Sequence, residues 1–239
     1  MIVLMLGSGP GVVACRDWPR GAVDRIVAIN NAWQVRPDWD HLVHPEDFPS
    51  ARRPDALRPG QSVITADAYV PANNAYGGVV YAGGTMAFSA GYWALWALRP
   101  RVLAYLGCDM VYGTGRTHFY GTGTADPLRP DPTLQDLRAK SARLELLAAR
   151  QGCAVVNLSP SETRLSFARA QIDALDQLAA PEGVAGLCDA ALALERATGA
   201  FVGSGRYWDA PGLDAGALER IDALWLKAHR RARSLRDAA

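Results

Sequence analysis

The fold of this chain is decided by residues 2–11, IVLMLGSGPG. The apolar run from Ile2 to Leu6 ends at a loop of glycines, a pattern typical of a strand buried on both faces. Such strands belong to parallel sheets, because helices cover both faces of those sheets. The run is too short to cross a membrane and no basic segment precedes it. We therefore interpret it as a buried strand and not as a signal peptide.

The same pattern recurs along the first two thirds of the chain. Further strands are predicted at Arg25–Ile29, His41–Val43, Ser62–Thr65, Val102–Leu106 and Ala154–Leu158. Between them, Met86–Leu98 predicts a helix buried almost all round, and Leu134–Gln151 predicts an amphipathic helix. This alternation predicts an α/β fold with a doubly wound, mainly parallel, Rossmann-like sheet.

A helical extension is expected after the sheet. We predict no strand beyond Pro160 and three helices, at Ser166–Leu178, Val184–Thr198 and Ala215–Arg236. The chain then divides into a Rossmann-like nucleotide-binding domain, residues 1–162, and a helical C-terminal extension, residues 163–239. The last helix has an apolar face and ends in four arginines, which fit either a solvated helix end or a peripheral contact with an anionic membrane: Arg230, Arg231, Arg233 and Arg236.

The composition limits the class of protein. A chain of 239 residues, 49% of them hydrophobic, can build one large domain with an appendage. A formal net charge of +1 gives no field that would attract nucleic acid. The four cysteines form no Cys-x-x-Cys pair, which predicts reduced thiols and a cytoplasmic location. His41 and His44, three residues apart, would point to opposite faces of a strand, so we expect no metal site.

Polar or glycine-rich segments follow the predicted strands. Right-handed crossovers place every strand-to-helix loop of such a sheet at one edge, and ligands bind outside the carboxyl ends of the strands. That edge is predicted to collect Gly7–Gly11, Asn30-Asn31, Glu46-Asp47, Gly107–Tyr112 and Ser159–Ser161. The sequence therefore predicts a ligand site at this edge.

The first loop consists of Gly7, Ser8, Gly9, Pro10 and Gly11. Its glycines would let the backbone approach a phosphate or a ribose, and its amides could donate to that group. Pro10 and Gly11 break the dinucleotide fingerprint, and no Gly-Lys-Ser/Thr follows to make a Walker loop. A tight turn without a ligand is the alternative.

Three other loops offer polar side chains to a nucleotide. The amides of Asn30 and Asn31 supply donors and an acceptor, although asparagine also suits a left-handed turn. Asp109 could accept from a ribose hydroxyl or cap the following turn, and both interpretations stay open. Ser159 and Ser161, after the last predicted strand, complete the nucleotide-binding candidates.

The long loop 112–132 contains His118. Loops of this length are usually functional or disordered, and its aromatic residues argue against disorder. A histidine near a phosphate can act as a general base at neutral pH, and the hydroxyls of Tyr112 and Tyr120 could donate to a phosphate oxygen. The alternatives are a surface histidine and tyrosines that only pack under the loop.

Six short segments, in this order, carry a family resemblance: LGSGP (6–10), AINN (28–31), GGT (83–85), LGCDMVY (106–112), THFYG (117–121) and NLSPS (157–161). They resemble the bacterial lipooligosaccharide sialyltransferases. They also resemble the wider Rossmann group that includes the archaeal hydroxymethylpterin diphosphokinases. The resemblance covers roughly residues 1–165.

The resemblance implies roles for particular residues. The CMP-sialic acid donor would be held by the glycine loop, the asparagine after the second strand and the small-residue loop before the buried helix: Gly7, Gly9, Asn30, Gly84 and Thr85. Tyr112 would stabilise the leaving phosphate, and His118 would deprotonate the acceptor hydroxyl. These enzymes use no metal, so the resemblance implies no cofactor.

These observations lead to one expected function and two alternatives. We expect a metal-independent, glycosyltransferase-like protein that uses a nucleotide-sugar donor, such as CMP-sialic acid, and a saccharide acceptor. The alternatives are a non-catalytic nucleotide-binding module and a diphosphokinase or other phosphotransferase. A homo-oligomer is compatible with the sequence.

Overall fold

The structure, a computed structural model, describes residues 1–111, 115–122, 132–209 and 212–237. In this part of the chain seven strands form one sheet, and every pair of neighbouring strands is parallel. The strands are β1 (Ile2–Leu6), β2 (Arg25–Ile29), β3 (His41–Val43), β4 (Ser62–Ile64), β5 (Val102–Leu106), β6 (Ala154–Asn157) and β7 (Ala168–Arg169). Their order across the sheet is β4-β3-β2-β1-β5-β6-β7, which confirms the predicted doubly wound parallel fold.

The direction of the strand order reverses between β1 and β5. From β1 the chain adds β2, β3 and β4 on one side, then returns to place β5 on the other side of β1. Ile2 lies opposite Val102 and Leu6 lies opposite Leu106, so the two strands end at the same level. In open α/β sheets a reversal of this kind opens the crevice in which ligands bind.

Helices cover the sheet. The α-helices of the described residues are α1 (Ala66–Ala75), α2 (Val79–Ala82), α3 (Met86–Ala97), α4 (Leu137–Ala149), α5 (Asp189–Thr198) and α6 (Ala215–Asp237). Four of them, α3 to α6, coincide with helices predicted from the sequence. The pattern did not predict α1, which contains Pro71, a residue that disfavours a helix interior.

Successive residues of β1 face two different cores. Val3 and Met5 belong to the larger core, on one face of the sheet, and Leu4 and Leu6 belong to the core on the other face. The larger core also contains the apolar face predicted for the last helix: Leu218, Ile221, Trp225 and Ala228. The last helix therefore packs in the same core as the sheet.

The prediction that no strand follows Pro160 was wrong. β7 extends the sheet beside β6, with Val156 opposite Ala168. The helix predicted at Ser166–Leu178 is replaced by this strand and a short 3-10 helix, Ile172–Gln177. Pairing with the exposed edge of β6 gives the backbone its hydrogen bonds, and this long-range contact outweighs the local helical pattern.

The sequence predicted that helix α4 is amphipathic, and this prediction was wrong. The helix is buried on almost every side. The buried positions include three charged side chains: Lys140, Arg143 and Glu145. Each of them has a partner from the C-terminal segment: Asp222 at 3.1 Å, Glu195 at 2.8 Å and His229 at 2.9 Å. The charged face of α4 is thus covered by the extension, a contact that the local pattern could not reveal.

All four cysteines are free and buried: Cys15, Cys108, Cys153 and Cys188. Burial raises the pKa of the Cys153 thiol to about 12 and raises that of Cys108 as well. These thiols are therefore protonated and unreactive at neutral pH. Within the described part of the chain, no helix has the length and apolarity that crossing a membrane requires.

Candidate functional site

The loops after β1 and β5 lie side by side at the reversal of the strand order. The Gly7 amide donates to the Leu106 carbonyl at 2.8 Å, and the Gly9 amide donates to the Gly107 carbonyl at 2.8 Å. These bonds join the first glycine loop to β5 and to the loop that follows it. The loop therefore stands at the switch point, where the fold predicts a ligand crevice.

The glycines of this loop are required by packing of the two loops. A Cβ atom on Gly7 would lie 2.3 Å from the Gly107 carbonyl oxygen, and one on Gly9 would lie 2.8 Å from it. The close approach predicted for a ligand is thus made by the β5 loop. Among the described residues, the backbone N–H groups of Ser8 and Gly11 donate to no other residue, so these two amides are the ones free for a ligand.

The segment that carries His118 lies on this glycine loop. The backbone N–H of Phe119 donates to the carbonyl of Ser8 at 2.9 Å, and the Phe119 side chain is buried in the smaller core. His118 and Gly121 exchange two backbone hydrogen bonds of 2.9 and 3.0 Å, which close a tight turn. The structure therefore places the predicted base beside the opening loop, at the same edge of the sheet.

The imidazole of His118 is shielded from water. Only 7% of the residue is exposed, and its ring stacks on Tyr120 with the centroids 5.0 Å apart. Thr117 Oγ1 lies 2.9 Å from His118 Nδ1. Burial lowers the pKa of the imidazole below its usual 6.5, because a charged ring would lose hydration. The lowered pKa favours the neutral ring, the form that can accept a proton.

The two candidate tyrosines have different outcomes. Tyr120 stacks on the imidazole and is itself 40% exposed. Tyr112 lies outside the described residues. Its predicted contact with the leaving phosphate stays a prediction.

Asn30 directly follows β2, next to the glycine loop. Ser8 Oγ lies 3.5 Å from the carbonyl oxygen of Ile29, the preceding residue. Asn30 has a φ of +53°, which fits the left-handed turn considered from the sequence. Its Oδ1 atom is also buried without a hydrogen-bond partner, a costly arrangement that a ligand donor would relieve. The neighbouring Asn31 is buried, with 4% exposed.

Asp109 connects the loops after β5 and β6. Its Oδ2 accepts from Ser159 Oγ at 2.7 Å, and its Oδ1 accepts from Asn157 Nδ2 at 3.3 Å. Ser159 Oγ also accepts from the backbone N–H of Ser161 at 3.3 Å. These bonds favour a structural role for Asp109 and Ser159, while Ser161 is exposed. Sequence reasoning missed Asn157, whose signal was a polar side chain at the end of a buried strand.

Gly84 and Thr85 begin α3. The Gly84 amide donates to Thr133 Oγ1 at 3.1 Å, and Thr85 Oγ1 caps the helix by accepting from the Phe88 amide at 3.3 Å. Because α3 leads into β5, its first turn lies at the carboxyl edge of the sheet. Both residues are therefore at the predicted edge, and both have structural contacts there.

A buried ion pair lies beneath Gly83, just before this start of α3, and was not predicted from the sequence. A Cβ atom on Gly83 would lie 3.2 Å from Lys140 Cγ, and Lys140 Nζ binds Asp222 Oδ1 at 3.1 Å. Asp222 Oδ2 has no partner, and burial raises the pKa of this carboxyl. The extension thus reaches the underside of the candidate site through Asp222.

The described residues contain no group of three potential metal ligands among histidine, cysteine and acidic side chains. His41 Nδ1 lies 2.8 Å from Ser62 Oγ, and His44 Nδ1 lies 2.8 Å from the carbonyl oxygen of Pro45.

At the other end of the chain, the four arginines that end α6 are all exposed: Arg230, Arg231, Arg233 and Arg236. That exposure is compatible with a solvated helix end and with an anionic membrane contact.

Comparison of the chain with protein-family models, curated proteins and solved structures found no match. Function is therefore inferred from the arrangement at the switch point. There the glycine loop adjoins the end of β2 on one side and the His118 turn on the other, whereas Asp109 and Ser159 bond to each other.

Proposed function

We propose that this protein is a metal-independent glycosyltransferase that uses a nucleotide-activated sugar. The observation that supports this proposal most directly is the hydrogen bond from the Phe119 amide to the Ser8 carbonyl. It holds the only histidine of the 115–122 segment against the loop that offers free amides. A phosphate bound at that loop would therefore lie next to a neutral, buried imidazole.

The nucleotide would bind across the ends of β1 and β2. The Ser8 and Gly11 amides would donate to phosphate oxygens, and Asn30 Oδ1 would accept from the base or the ribose. The family resemblance implies that the nucleotide is CMP and that the donor is a CMP-sugar such as CMP-sialic acid. A cytosine amino group is a suitable donor for the free oxygen of Asn30.

His118 would act as the general base of the transfer. It would take the proton of the acceptor hydroxyl while that oxygen forms a bond to the anomeric carbon of the donor sugar. The bond from this carbon to the phosphate oxygen breaks, and the phosphate leaves with the electron pair. The Tyr120 hydroxyl would donate to the departing phosphate, and Tyr112 is proposed for the same role from the family resemblance.

Replacing His118 tests this proposal. A positioned base contributes about 10²–10⁴-fold, so His118→Ala should lower the turnover of CMP-sialic acid by that factor. CMP affinity, measured by calorimetry, should stay within about threefold of the wild-type value, because the imidazole meets the acceptor and not the nucleotide. The assay measures release of CMP in the presence of EDTA, either by hydrolysis of the donor or by transfer to a saccharide acceptor. Equal turnover in the variant would remove His118 from the mechanism.

A non-catalytic nucleotide-binding module is the second candidate. It is favoured by the burial of His118, which is 7% exposed and whose ring stacks on Tyr120. This candidate predicts stabilisation by CMP in a thermal-shift panel without any turnover of CMP-sialic acid. Stabilisation by Mg-ATP and not by CMP would instead support a phosphotransferase.

A further inference from the structure

Residues 199–209 run along the outer side of α1 toward the carboxyl edge of the sheet. A Cβ atom on Gly205 would lie 2.8 Å from Val70 Cγ2, so the backbone passes close to the middle of α1. The next residue, Arg206, places Nη2 4.0 Å from Oε2 of Glu46, in the loop after β3. Because that loop follows a strand, the end of this segment lies at the same edge as the candidate site.

An aromatic pair stands at this position. Trp208 is 67% exposed, more than any other large hydrophobic residue in the described part of the chain. Its ring meets that of Tyr207 edge to face, with the centroids 5.1 Å apart and the planes at 79°. Tyr207 packs against the larger core, so it anchors the pair while Trp208 extends into solvent.

Charged residues adjoin the aromatic pair: Arg206 and Asp209 flank it in the chain, and Arg206 reaches Glu46 in the loop after β3. Arg206 and Glu46 have side chains that are 58% and 67% exposed, and Asp209 and Asp47 are exposed as well. A protein interface would need a contiguous apolar patch around Trp208. An exposed flat ring with charged neighbours in the chain instead suits a ligand with one apolar face and polar edges. A pyranose has this character, since its C–H groups form a face and its hydroxyls form the edge.

We propose that Tyr207 and Trp208 form a saccharide-binding platform at the edge of the candidate site. The sugar stacks on the indole ring, and its hydroxyls bond to Arg206 and Glu46. The identification of this sugar as the acceptor rests on the proposed function, but the binding of the sugar does not. The extension would then supply acceptor recognition, while the loops of the sheet bind the nucleotide.

Saturation-transfer NMR on the whole protein tests the platform. The probes are the methyl glycosides of galactose, glucose and mannose, followed by a glycan array to find longer ligands. We expect transfer to the C–H protons of one pyranose face, and a dissociation constant raised about tenfold in Trp208→Ala. Trp208→Phe should retain part of the affinity, because it keeps an aromatic face.

Trp96→Ala is the matched control. Trp96 is also an exposed tryptophan, at 50%, but it lies near the last residue of α3 and so at the opposite edge of the sheet. Its replacement should leave saccharide binding unchanged. Unchanged thermal unfolding of both variants would show that the comparison is made between folded proteins.

CMP affinity, measured in the same variants, separates this inference from the proposed function. Saccharide binding that is lost in Trp208→Ala, with CMP affinity unchanged, supports the platform. A wild-type protein that binds CMP but no saccharide on the NMR panel or the array overturns the platform and leaves the proposed function in place. Saccharide binding without any CMP binding contradicts the proposed function alone. Loss of CMP affinity in Trp208→Ala would assign Trp208 to the nucleotide site and overturn the platform.

Discussion

Buried polar groups have different surroundings in two regions of the molecule. One region is the interface between α4 and the C-terminal extension, and the other is the edge of the sheet that carries Asn30. Glu195 accepts hydrogen bonds from Arg143 Nε at 2.8 Å, from Arg143 Nη2 at 2.9 Å and from Trp225 Nε1 at 2.7 Å. Arg143 also donates to the Tyr92 hydroxyl at 2.8 Å. At the edge, Asn30 Oδ1 is buried without any partner. The Glu195 carboxylate is saturated with hydrogen bonds, whereas the amide oxygen of Asn30 has none.

Two of the three described non-glycine residues with positive φ lie at this edge. Asn30 and Met110 adopt positive φ values of +53° and +54° after β2 and β5, a strained geometry for residues other than glycine. Strained and unpartnered groups cost stability and collect at functional sites. The comparison therefore assigns stability to the interface and supports the proposed ligand binding at the edge. Asp222 Oδ2, unpartnered below Gly83, is the exception on the interface side.

The largest stability effect is expected from Glu195→Ala. The variant leaves the Arg143 guanidinium buried without its carboxylate, which costs about 3–5 kcal/mol of unfolding free energy. Urea denaturation measures this loss, and Glu219→Ala, at an exposed position of α6, should change it by less than about 0.5 kcal/mol. Equal effects in the two variants would contradict the assignment of stability to this interface.

Gly7→Ala, at the edge, should lower both the unfolding free energy and the affinity for CMP. Its Cβ atom would meet the Gly107 carbonyl oxygen at 2.3 Å, and such overpacking typically costs about 1–3 kcal/mol. Separation of the two loops should also weaken CMP binding, measured by calorimetry. Gly21→Ala is the control, because nothing lies within 4 Å of a Cβ atom there. An unaffected Gly7 variant would show that the loops do not need this contact.

Asn30→Gly should separate ligand affinity from stability. Removal of the amide oxygen should weaken CMP binding by about 1–3 kcal/mol, roughly 5- to 150-fold. Unfolding free energy should stay constant or rise slightly, because glycine accepts the positive φ and no internal side-chain bond is lost. Arg99→Gly, at another positive φ of +48° but between α3 and β5, should leave CMP affinity unchanged. A destabilised Asn30 variant with normal affinity would reverse the assignment.

The smallest effect concerns pH. Burial lowers the pKa of both His41 and His118, so the unfolded chain takes up protons at a higher pH than the folded chain. The unfolding free energy should therefore fall as the pH drops through 6.5 and below, by about 1.4 kcal/mol for each unit of pKa difference. Urea titrations at a series of pH values measure this slope. His118→Gln should reduce it, and an unchanged slope would show that the imidazole is not held neutral.

The sequence predicted the sheet and the edge well, because their signals are local. Runs such as Arg25–Ile29 mark a strand by themselves, and the loop that follows a parallel strand has only one edge to occupy. The partners at the interface could not be found in this way, since Arg143 and Glu195 are 52 residues apart. β7 was missed for the same reason, because β6 determines its structure.

The arrangement at the edge was only partly predictable. The sequence correctly grouped Gly7, Asn30 and His118 by the rule for strand ends. It left open whether Asp109 binds a ribose or supports a turn, because this depends on Ser159 and Asn157, about fifty residues further along the chain. It could not show that the β5 loop, and not a ligand, meets the glycines.

A crystal structure of the protein with CMP tests the central claim most directly. We predict that the phosphate accepts from the Ser8 amide, at the edge of the sheet that carries His118, with a nucleoside donor within hydrogen-bonding distance of Asn30 Oδ1. CMP bound at the opposite edge of the sheet, or bound here with Asn30 still unpartnered, would contradict this account.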